Sequence, residues 1–315
     1  MAINKKGKPV HGWINLNKSY GLNSTRAVGI VQRIYDAKKA GHAGTLDPLA
    51  SGVLPIAFGE ATKTISFLVE AKKTYEFEIT WGKSTDTQDA EGEVIGTSDV
   101  RPSYQELADI LPEFTGEIYQ IPPIYSAVKL AGQRAYDLAR AGKPVVLKPR
   151  LTQIDGIEIL ETHPERVTLR VDCGKGTYIR ALSRDLVEKL GAEGYVSKLV
   201  RTRVGPFYLD DAFSLDALEE LSHKARAADA LLPFETALDD IPVLDVNKSE
   251  RYDLQLGRAI VLHPDIFASL RSAFHPRIIE GKDVSRYVLV KCEGQAIALC
   301  EARAGRLSPK RGYRM

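Results

Sequence analysis

In the stretch from Lys73 to Trp81, apolar and polar side chains alternate without interruption. Tyr75, Phe77 and Ile79 fall on one side, and threonine and glutamate residues fall on the other. Alternation with a period of two predicts a β-strand with one buried and one solvated face. Such a strand needs partners in a sheet that is covered mainly on one side, which is typical of antiparallel sheets.

Patterns before and after this strand predict a mixture of strands and helices. Residues 10–17 predict a strand, and the helix after it begins at an Asn23 or Ser24 cap. Because the spacing is irregular and short turns join several strands, we predict an α+β fold with a mixed, largely antiparallel sheet. The other predicted elements are a polar loop or hairpin at 82–92, a strand at 167–171, a helix at 179–190 that ends at Gly191, and a helical stretch at 215–232.

Two prolines and a cluster of acidic residues follow the helical stretch at 215–232, and a new apolar pattern begins beyond them. We therefore place a domain boundary at about residue 240. Residues 1–240 form the larger domain. Residues 241–315 are short-stranded and contain several glycines, which fits a small β-barrel.

The composition, with 44% hydrophobic and 27% charged residues, is that of a globular protein. No apolar run approaches the ~20 residues that cross a bilayer, and no apolar stretch follows the positive amino terminus. We therefore expect a cytoplasmic protein without membrane contact. Cys173, Cys292 and Cys300 show no Cys-x-x-Cys spacing, so we interpret them as reduced thiols without zinc.

The net charge of +2 says less about partners than the distribution of charge does. Between residues 126 and 150, basic side chains outnumber acidic ones six to one, and the last fifteen residues are also strongly basic. Both segments suit contacts with phosphates. Ordinary solvated faces are an equally good interpretation of either run on its own.

The segment 41–52 contains three glycines, a proline, His42 and Asp47. Glycine-rich loops let a substrate approach the main chain closely, but Asp before Pro is also a common turn, and the residues alone favour that structural interpretation. Signatures of a phosphate-binding loop, a serine-hydrolase elbow and a histidine metal site are lacking. The residues thus predict neither a cofactor nor a metal, and they do not name a reaction.

The loop at 41–54 closely resembles the active-site segment of the bacterial tRNA pseudouridine-55 synthase family, TruB. Other matching blocks follow in the family order: Gly59–Lys63, Lys73–Tyr75, Thr85–Gly92, Gln120–Lys129, Gly176–Arg180 and Leu199–Arg203. The resemblance implies a pseudouridine synthase catalytic domain over 1–240 and a PUA-like RNA-binding domain over 241–315. It also implies a cofactor-free isomerase that flips uridine 55 out of the tRNA T-loop and converts it to pseudouridine.

The resemblance also assigns the site residues. Asp47 corresponds to the essential aspartate of the family, and Arg180 to the arginine that pairs with it, keeping the carboxylate ionised and oriented. Tyr75 corresponds to the aromatic residue that stacks on the base, although its periodic strand alone favours a core role. His42 fills the space left by flipped nucleotides. The remaining substrate-binding positions are Tyr178, Leu199 and Lys63.

Three further features complete this interpretation. The basic insertion at 126–150 resembles a mobile loop that clamps the T-arm of tRNA. Residues 85–92 are acidic, so we interpret them as a structural hairpin, with a magnesium site at Asp86 and Asp89 as the alternative. Ser19 replaces the proline of the family pattern Lys-Pro-x-Gly, which removes a constraint on the local backbone.

Two other functions compete with this one. A tRNA-folding chaperone would use the same RNA contacts without needing the carboxylate, and the two activities can coexist. A guide-RNA-dependent, dyskerin-type enzyme is disfavoured because the chain lacks a long lysine-rich extension and keeps the insertion. We therefore expect a monomer that binds tRNA and needs no protein partner.

Overall fold

The computed structural model describes residues 7–126, 128–130 and 132–314. The strands are β1 Gly12–Lys18, β2 Ala40–His42, β3 Ala50–Phe58, β4 Lys73–Trp81, β5 Lys83–Thr85, β6 Val94–Thr97, β7 Gly116–Gln120, β8 Lys129–Leu130, β9 Gln133–Arg134, β10 Arg150–His163, β11 Arg166–Cys173, β12 Gly194–Val204, β13 Phe207–Tyr208, β14 Val243–Asp245, β15 Ile260–Val261, β16 Ile278–Ile279, β17 Lys282–Asp283, β18 Tyr287–Cys292, β19 Gln295–Arg303 and β20 Arg306–Gly312.

The helices are α1 Ser24–Ile34, α2 Ile65–Glu70, α3 Tyr104–Ile110, α4 Ala135–Arg140, α5 Ile179–Lys189, α6 Leu215–His223, α7 Lys248–Gln255 and α8 Pro264–Ser272. Short 3₁₀ helices lie at Gly59–Lys63, Leu111–Phe114, Leu209–Asp211, Ala227–Ala230 and Phe234–Leu238. Over the described part of the chain, no helix is both long enough and apolar enough to span a membrane.

The large sheet has the order β1-β3-β12-β4-β11-β10-β7, with β2 on β3 and β13 on β12. Among its described strand pairs, β3 with β12 is parallel and the others are antiparallel. The predicted α+β fold with a mixed, largely antiparallel sheet is therefore confirmed. Strand β4, the alternating strand, lies between β11 and β12.

The alternation in β4 is reproduced by its burial, since every second side chain from Lys73 onward is buried. Phe77 and Ile79 pack in the main core together with Leu182 and Leu186 of α5. The alternate residues Glu76 and Glu78 lie on the opposite face of the strand, where Glu76 pairs with a basic residue of β11. The predicted strand is confirmed at both ends.

Local signals also set the ends of the helices. The Asn23 side chain accepts a hydrogen bond from the Arg26 amide at 2.8 Å, so α1 has the predicted cap. Helix α5 ends before Gly191, which adopts the left-handed φ of 62° expected just beyond a helix. The predicted hairpin is present as β5 paired with β6.

One predicted helix is too long. The stretch at 215–232 was expected to be helical throughout, but α6 ends at His223. Ala225 has a φ of 56°, and the Arg226 amide donates to the Leu221 carbonyl at 2.8 Å. This left-handed closure terminates the helix, because the chain turns away after it. The spacing of apolar residues does not predict that the helix ends here, because the left-handed residue is alanine rather than glycine.

The carboxyl-terminal part contains a five-stranded sheet of order β14-β18-β19-β20-β15, curled into a half-barrel. Its buried face carries Val288, Val290 and Cys300, which pack against residues of α7 and α8. The predicted small β-barrel is present as this half-barrel sheet, and the PUA-like RNA-binding role of residues 241–315 stays a prediction. The boundary at residue 240 stays a prediction.

The end of β20 packs back onto the 3₁₀ helix at Gly59–Lys63, and we call this contact the tail junction. Lys63 Nζ donates to the Gly312 carbonyl at 3.0 Å, and the Arg314 amide donates to Glu60 Oε2 at 3.0 Å. The ring of Tyr313 packs on Phe234, with centroids 4.6 Å apart. The last strand is therefore fixed to the segment that follows β3.

Candidate active site

The loop between β2 and β3 borders a pocket with a volume of about 780 Å³. The other walls are the start of α1, the hairpin residues 86–93, residues 125–126 and the region of α4. Asp47 faces this pocket with a side chain that is 38% exposed. A carboxylate in this position is accessible to a ligand.

Arg180 lies in the first turn of α5, and its guanidinium forms an ion pair with the Asp47 carboxylate. Its Nη2 is 2.7 Å from Asp47 Oδ2, yet its side chain is only 5% exposed. The same guanidinium pairs with Asp89 Oδ2 at 3.2 Å and donates to the carbonyls of Thr87 and Tyr125 at 3.0 and 2.9 Å. A buried charge requires compensation of this kind, so the guanidinium is fixed in position.

Asp89 is a site residue that sequence reasoning missed. Its side chain is 3% exposed and also accepts from Thr87 Oγ1 at 2.6 Å and the Glu91 amide at 3.0 Å. The sequence analysis treated this segment as a hairpin, with magnesium as the alternative. The hairpin is confirmed, but it also carries the second carboxylate of the Arg180 cluster, and the observed partners of Asp89 are protein groups.

The Asp47 loop is held by the parallel pairing of β3 with β12. Arg201 of β12 is 1% exposed and donates to the carbonyls of Val53 at 2.8 Å and Gly44 at 3.1 Å. Gly52 has a φ of 99°, and a Cβ there would lie 2.3 Å from the Arg201 carbonyl oxygen. The glycine permits this close approach, which no larger residue allows.

Comparison with known proteins identifies the family to which the chain belongs. The family model described as "TruB family pseudouridylate synthase (N terminal domain)" matches residues 32–179, and that of the "tRNA pseudouridylate synthase B C-terminal domain" matches residues 180–239. The chain belongs to the TruB family. It is therefore a tRNA pseudouridine synthase, an isomerase of uridine, as the sequence resemblance predicted.

Relatives and solved structures agree with this membership. A Caulobacter vibrioides protein named tRNA pseudouridine synthase B is 49% identical over 100% of both chains. An Agrobacterium fabrum protein of the same name is 41% identical over 98% of this chain and 96% of its own.

Two solved structures share the fold. An H/ACA RNP bound to a substrate RNA containing 2'-deoxyuridine has a TM-score of 0.71 at 22% identity, covering 100% of this chain and 92% of that one. A Cbf5-Nop10-Gar1 complex has a TM-score of 0.68 at 26% identity, and the match covers 96% of this chain and 84% of that one. The predicted pseudouridine synthase fold is confirmed.

The TruB family motif that contains Ser19 in place of proline is stabilised by a buried lysine. Lys18 Nζ donates to the carbonyls of Leu22, Ser19 and Pro48 at 2.7, 3.0 and 3.3 Å. Burial lowers the pKa of Lys18 to about 8, although the charge of Asp47 opposes the change. Lys18 thus ties the motif to the Asp47 loop, and the sequence analysis did not identify it.

The structure brings some of the predicted site residues together. His42, Asp47 and Arg180 line the pocket. The lowered pKa of His42 is due first to burial and then to the nearby Arg201 charge. A neutral imidazole therefore faces the pocket over more of the pH range than an exposed one would.

The two tyrosines lie beside the pocket rather than in its lining. Burial raises the pKa of both the Tyr75 and the Tyr178 phenols, and the negative charge of Asp47 adds to both increases. Leu199 is buried in β12, paired with Ala50 at the start of β3. Their roles in binding uridine stay predictions.

Lys63 lies apart from this pocket, in the tail junction. Its Nζ is 2.6 Å from Glu60 Oε2 and 3.0 Å from the Gly312 carbonyl oxygen. Its observed contacts therefore join two parts of the chain. The contact between Lys63 and RNA stays a prediction.

Proposed function

We propose that this TruB family member isomerises uridine 55 in the T-loop of tRNA, with Asp47 as the catalytic carboxylate. The observation that carries the proposal is the Asp47–Arg180 pair. The carboxylate is half-exposed toward the pocket, and the guanidinium 2.7 Å away is buried and held by three further partners. This arrangement presents an oriented carboxylate to a substrate without leaving either charge uncompensated.

The chemistry requires one reactive carboxylate and no net exchange of electrons. The bond from N1 of uracil to C1' of the ribose breaks, and a bond from C5 to C1' forms. C5 loses a proton and N1 gains one, so atoms and electrons balance. Asp47 acts in this sequence as a nucleophile or a base, and Arg180 maintains its orientation.

The position of Asp47 supports base flipping. Its carboxylate faces a recessed pocket, which a base that remains stacked within the T-loop does not reach. The target nucleotide must therefore leave the stack, at a cost of a few kcal/mol. His42 lines the pocket, and we propose that its side chain occupies the vacated space and offsets part of that cost.

The basic insertion supports tRNA as the substrate. Arg134 and Arg140 line the pocket beside the acidic hairpin, and both guanidinium groups lie over the Tyr136 ring with centroid distances of 5.8 Å. Exposed cations at the entrance suit contacts with T-arm phosphates. Residues 127 and 131 of the insertion lie outside the described residues. We propose that the chain acts as a cytoplasmic monomer on tRNA alone.

The test uses purified chain, an unmodified tRNA transcript and no other protein or RNA. We expect one pseudouridine, at position 55, when the product is mapped by a chemistry specific for that nucleoside. A transcript with cytidine at position 55 is the matched control and should yield none. Modification at another uridine would overturn the proposed position. A requirement for an added guide RNA would support the dyskerin-type alternative instead.

A further inference from the structure

Ser126 forms part of the pocket wall and has an unusual hydroxyl. The residue is 4% exposed, and its Oγ has no hydrogen-bond partner among residues 7–126, 128–130 and 132–314. The Tyr178 phenol approaches it without forming a hydrogen bond. A buried hydroxyl without a partner carries a free-energy penalty, because it has lost its hydrogen bonds to water.

Ser126 directly follows a residue whose backbone contacts the catalytic ion pair. The carbonyl of the preceding residue, Tyr125, accepts a hydrogen bond from Arg180 Nη2 at 2.9 Å. The same nitrogen is 2.7 Å from Asp47 Oδ2. The Tyr125 carbonyl and the Asp47 carboxylate thus share one guanidinium nitrogen, and Ser126 is the next residue after Tyr125.

The backbone on the other side of Ser126 is also fixed. The Ser126 carbonyl accepts from the Tyr136 amide at 3.1 Å, and the Val128 carbonyl accepts from the Ala135 amide at 2.7 Å. Both donors belong to α4, the helix of the basic insertion. The hydroxyl is therefore presented by a segment held between Arg180 and α4, and such preorganisation favours ligand binding.

We propose that Ser126 is a substrate-binding residue whose hydroxyl forms a hydrogen bond with the polar edge of the target uracil in the pocket. The proposal rests on the proposed function. Uracil presents two carbonyl oxygens and one N–H on its ring edge, and a serine hydroxyl both donates and accepts. Binding of the nucleoside gives the unpartnered hydroxyl the hydrogen bond that it lacks in the free protein.

A second serine provides a matched control. Ser183 in α5 is 1% exposed, and within the described residues its Oγ also has no partner, but it does not belong to the pocket lining. Alanine in place of either serine removes an unsatisfied buried group. Both substitutions should therefore leave the melting temperature unchanged or raise it. Only one of them should affect the reaction.

The experiment compares Ser126→Ala and Ser183→Ala in the full chain, by thermal unfolding and by single-turnover conversion at saturating tRNA. We expect Ser126→Ala to slow conversion by roughly 3- to 10-fold, as for one lost neutral hydrogen bond, and Ser183→Ala to keep the wild-type rate. The affinity for tRNA should stay within about twofold in both variants, because phosphate contacts dominate it.

Three results would overturn the proposal. They are a wild-type rate in Ser126→Ala, an equal slowing in Ser183→Ala, and a fall in the melting temperature of Ser126→Ala that accompanies the slowing. Rates are compared at whichever tRNA uridine the wild-type chain converts. Conversion at a site other than position 55 would therefore contradict the proposed function, while the ratio of the two variants would still decide the role of Ser126.

Discussion

The active site and the tail junction each use one cation to join distant segments, but the two cations differ in burial. Arg180 is 5% exposed and contacts two carboxylates and two backbone carbonyls. Lys63 is 33% exposed at its side chain and contacts one carboxylate and one carbonyl.

This difference in burial sets the energy of each contact. Breaking a buried ion pair such as Arg180–Asp89 leaves a charge without compensation and costs roughly 3 to 5 kcal/mol. A pair that water reaches, as it reaches the 33% exposed Lys63 side chain, is worth about 1 kcal/mol or less. Arg180 therefore determines the geometry of its surroundings, whereas Lys63 adds a few replaceable contacts to a junction that also contains the packed rings of Tyr313 and Phe234.

The largest effect should come from Asp47→Asn. We expect single-turnover conversion to fall by about 10⁴-fold or more, because the amide is neither a nucleophile nor a base, while tRNA affinity stays within a few-fold. Rapid-quench assays and filter binding measure the two quantities. A tRNA-folding activity, if the chain has one, should survive this substitution. Retained turnover would remove Asp47 from its proposed role.

Arg180→Lys should slow conversion by roughly 10²- to 10³-fold. An ammonium keeps the charge, but it cannot contact Asp47, Asp89 and two carbonyls at once. The matched control is Arg170→Lys, because Arg170 also pairs with two carboxylates, Glu76 at 2.9 Å and Glu158 at 3.1 Å, but is 42% exposed. Comparable slowing in the two variants would show that burial does not distinguish these arginines.

Tyr75 separates a stacking role from a core role. If Tyr75 stacks on the flipped uracil, Tyr75→Leu should fold and yet lose about 10- to 100-fold in single-turnover rate, whereas Tyr75→Phe should keep most of it. If it is only a core residue, Tyr75→Leu should lower the free energy of unfolding by roughly 1 to 3 kcal/mol and keep its rate. We expect the first pattern, and thermal unfolding with rate measurements on both variants decides between them.

Asp89→Asn should have a smaller effect on conversion, of about tenfold. Asparagine at this position keeps an oxygen for Thr87 and the Glu91 amide but removes one of the two negative charges beside Arg180. The control is Asp172→Asn on β11, whose carboxylate binds Thr74 at an exposed position. A wild-type rate in Asp89→Asn would show that Asp47 alone is sufficient to hold the guanidinium.

The smallest effect should come from Lys63→Met in the tail junction. We expect a loss of less than about 1 kcal/mol in the free energy of unfolding and no change in conversion at saturating tRNA. Glu60→Gln breaks the same pair but keeps the cation, so it is the matched control. Weaker tRNA binding in Lys63→Met alone would support the RNA contact predicted from the sequence. A large loss of stability in both variants would contradict the contrast with Arg180.

The sequence correctly predicted those helices and strands whose determining residues lie within the element itself. The alternation in β4, the Asn23 cap of α1 and the Gly191 stop of α5 each lie within the element concerned, so these predictions were correct. The end of α6 at His223 was missed, because its left-handed residue is alanine rather than glycine. Strand order was also beyond local patterns, since it depends on pairs far apart in the chain.

The candidate site shows the same contrast between features set by local sequence and features set by residues far apart in the chain. The residues of the loop alone favoured a structural turn, and only the family resemblance assigned roles to Asp47 and Arg180, which stay predictions. Asp89 was missed because an acidic hairpin is ordinarily solvated, and its burial becomes evident only when Arg180 packs against it. Lys18 was missed for a similar reason, because its partner at Pro48 lies 30 residues away along the chain.

The parallel pairing of β3 with β12 has a consequence for folding kinetics. The hydrogen bond from Arg201 to the Val53 carbonyl closes a loop of 148 residues. Contacts across such long separations form late, since much of the chain must be ordered before they become favourable. During synthesis, the Asp47 loop therefore lacks its contacts with Arg201 until β12 has left the ribosome. The Asp47 loop of the nascent chain acquires its observed contacts only when more than half of the chain has been made.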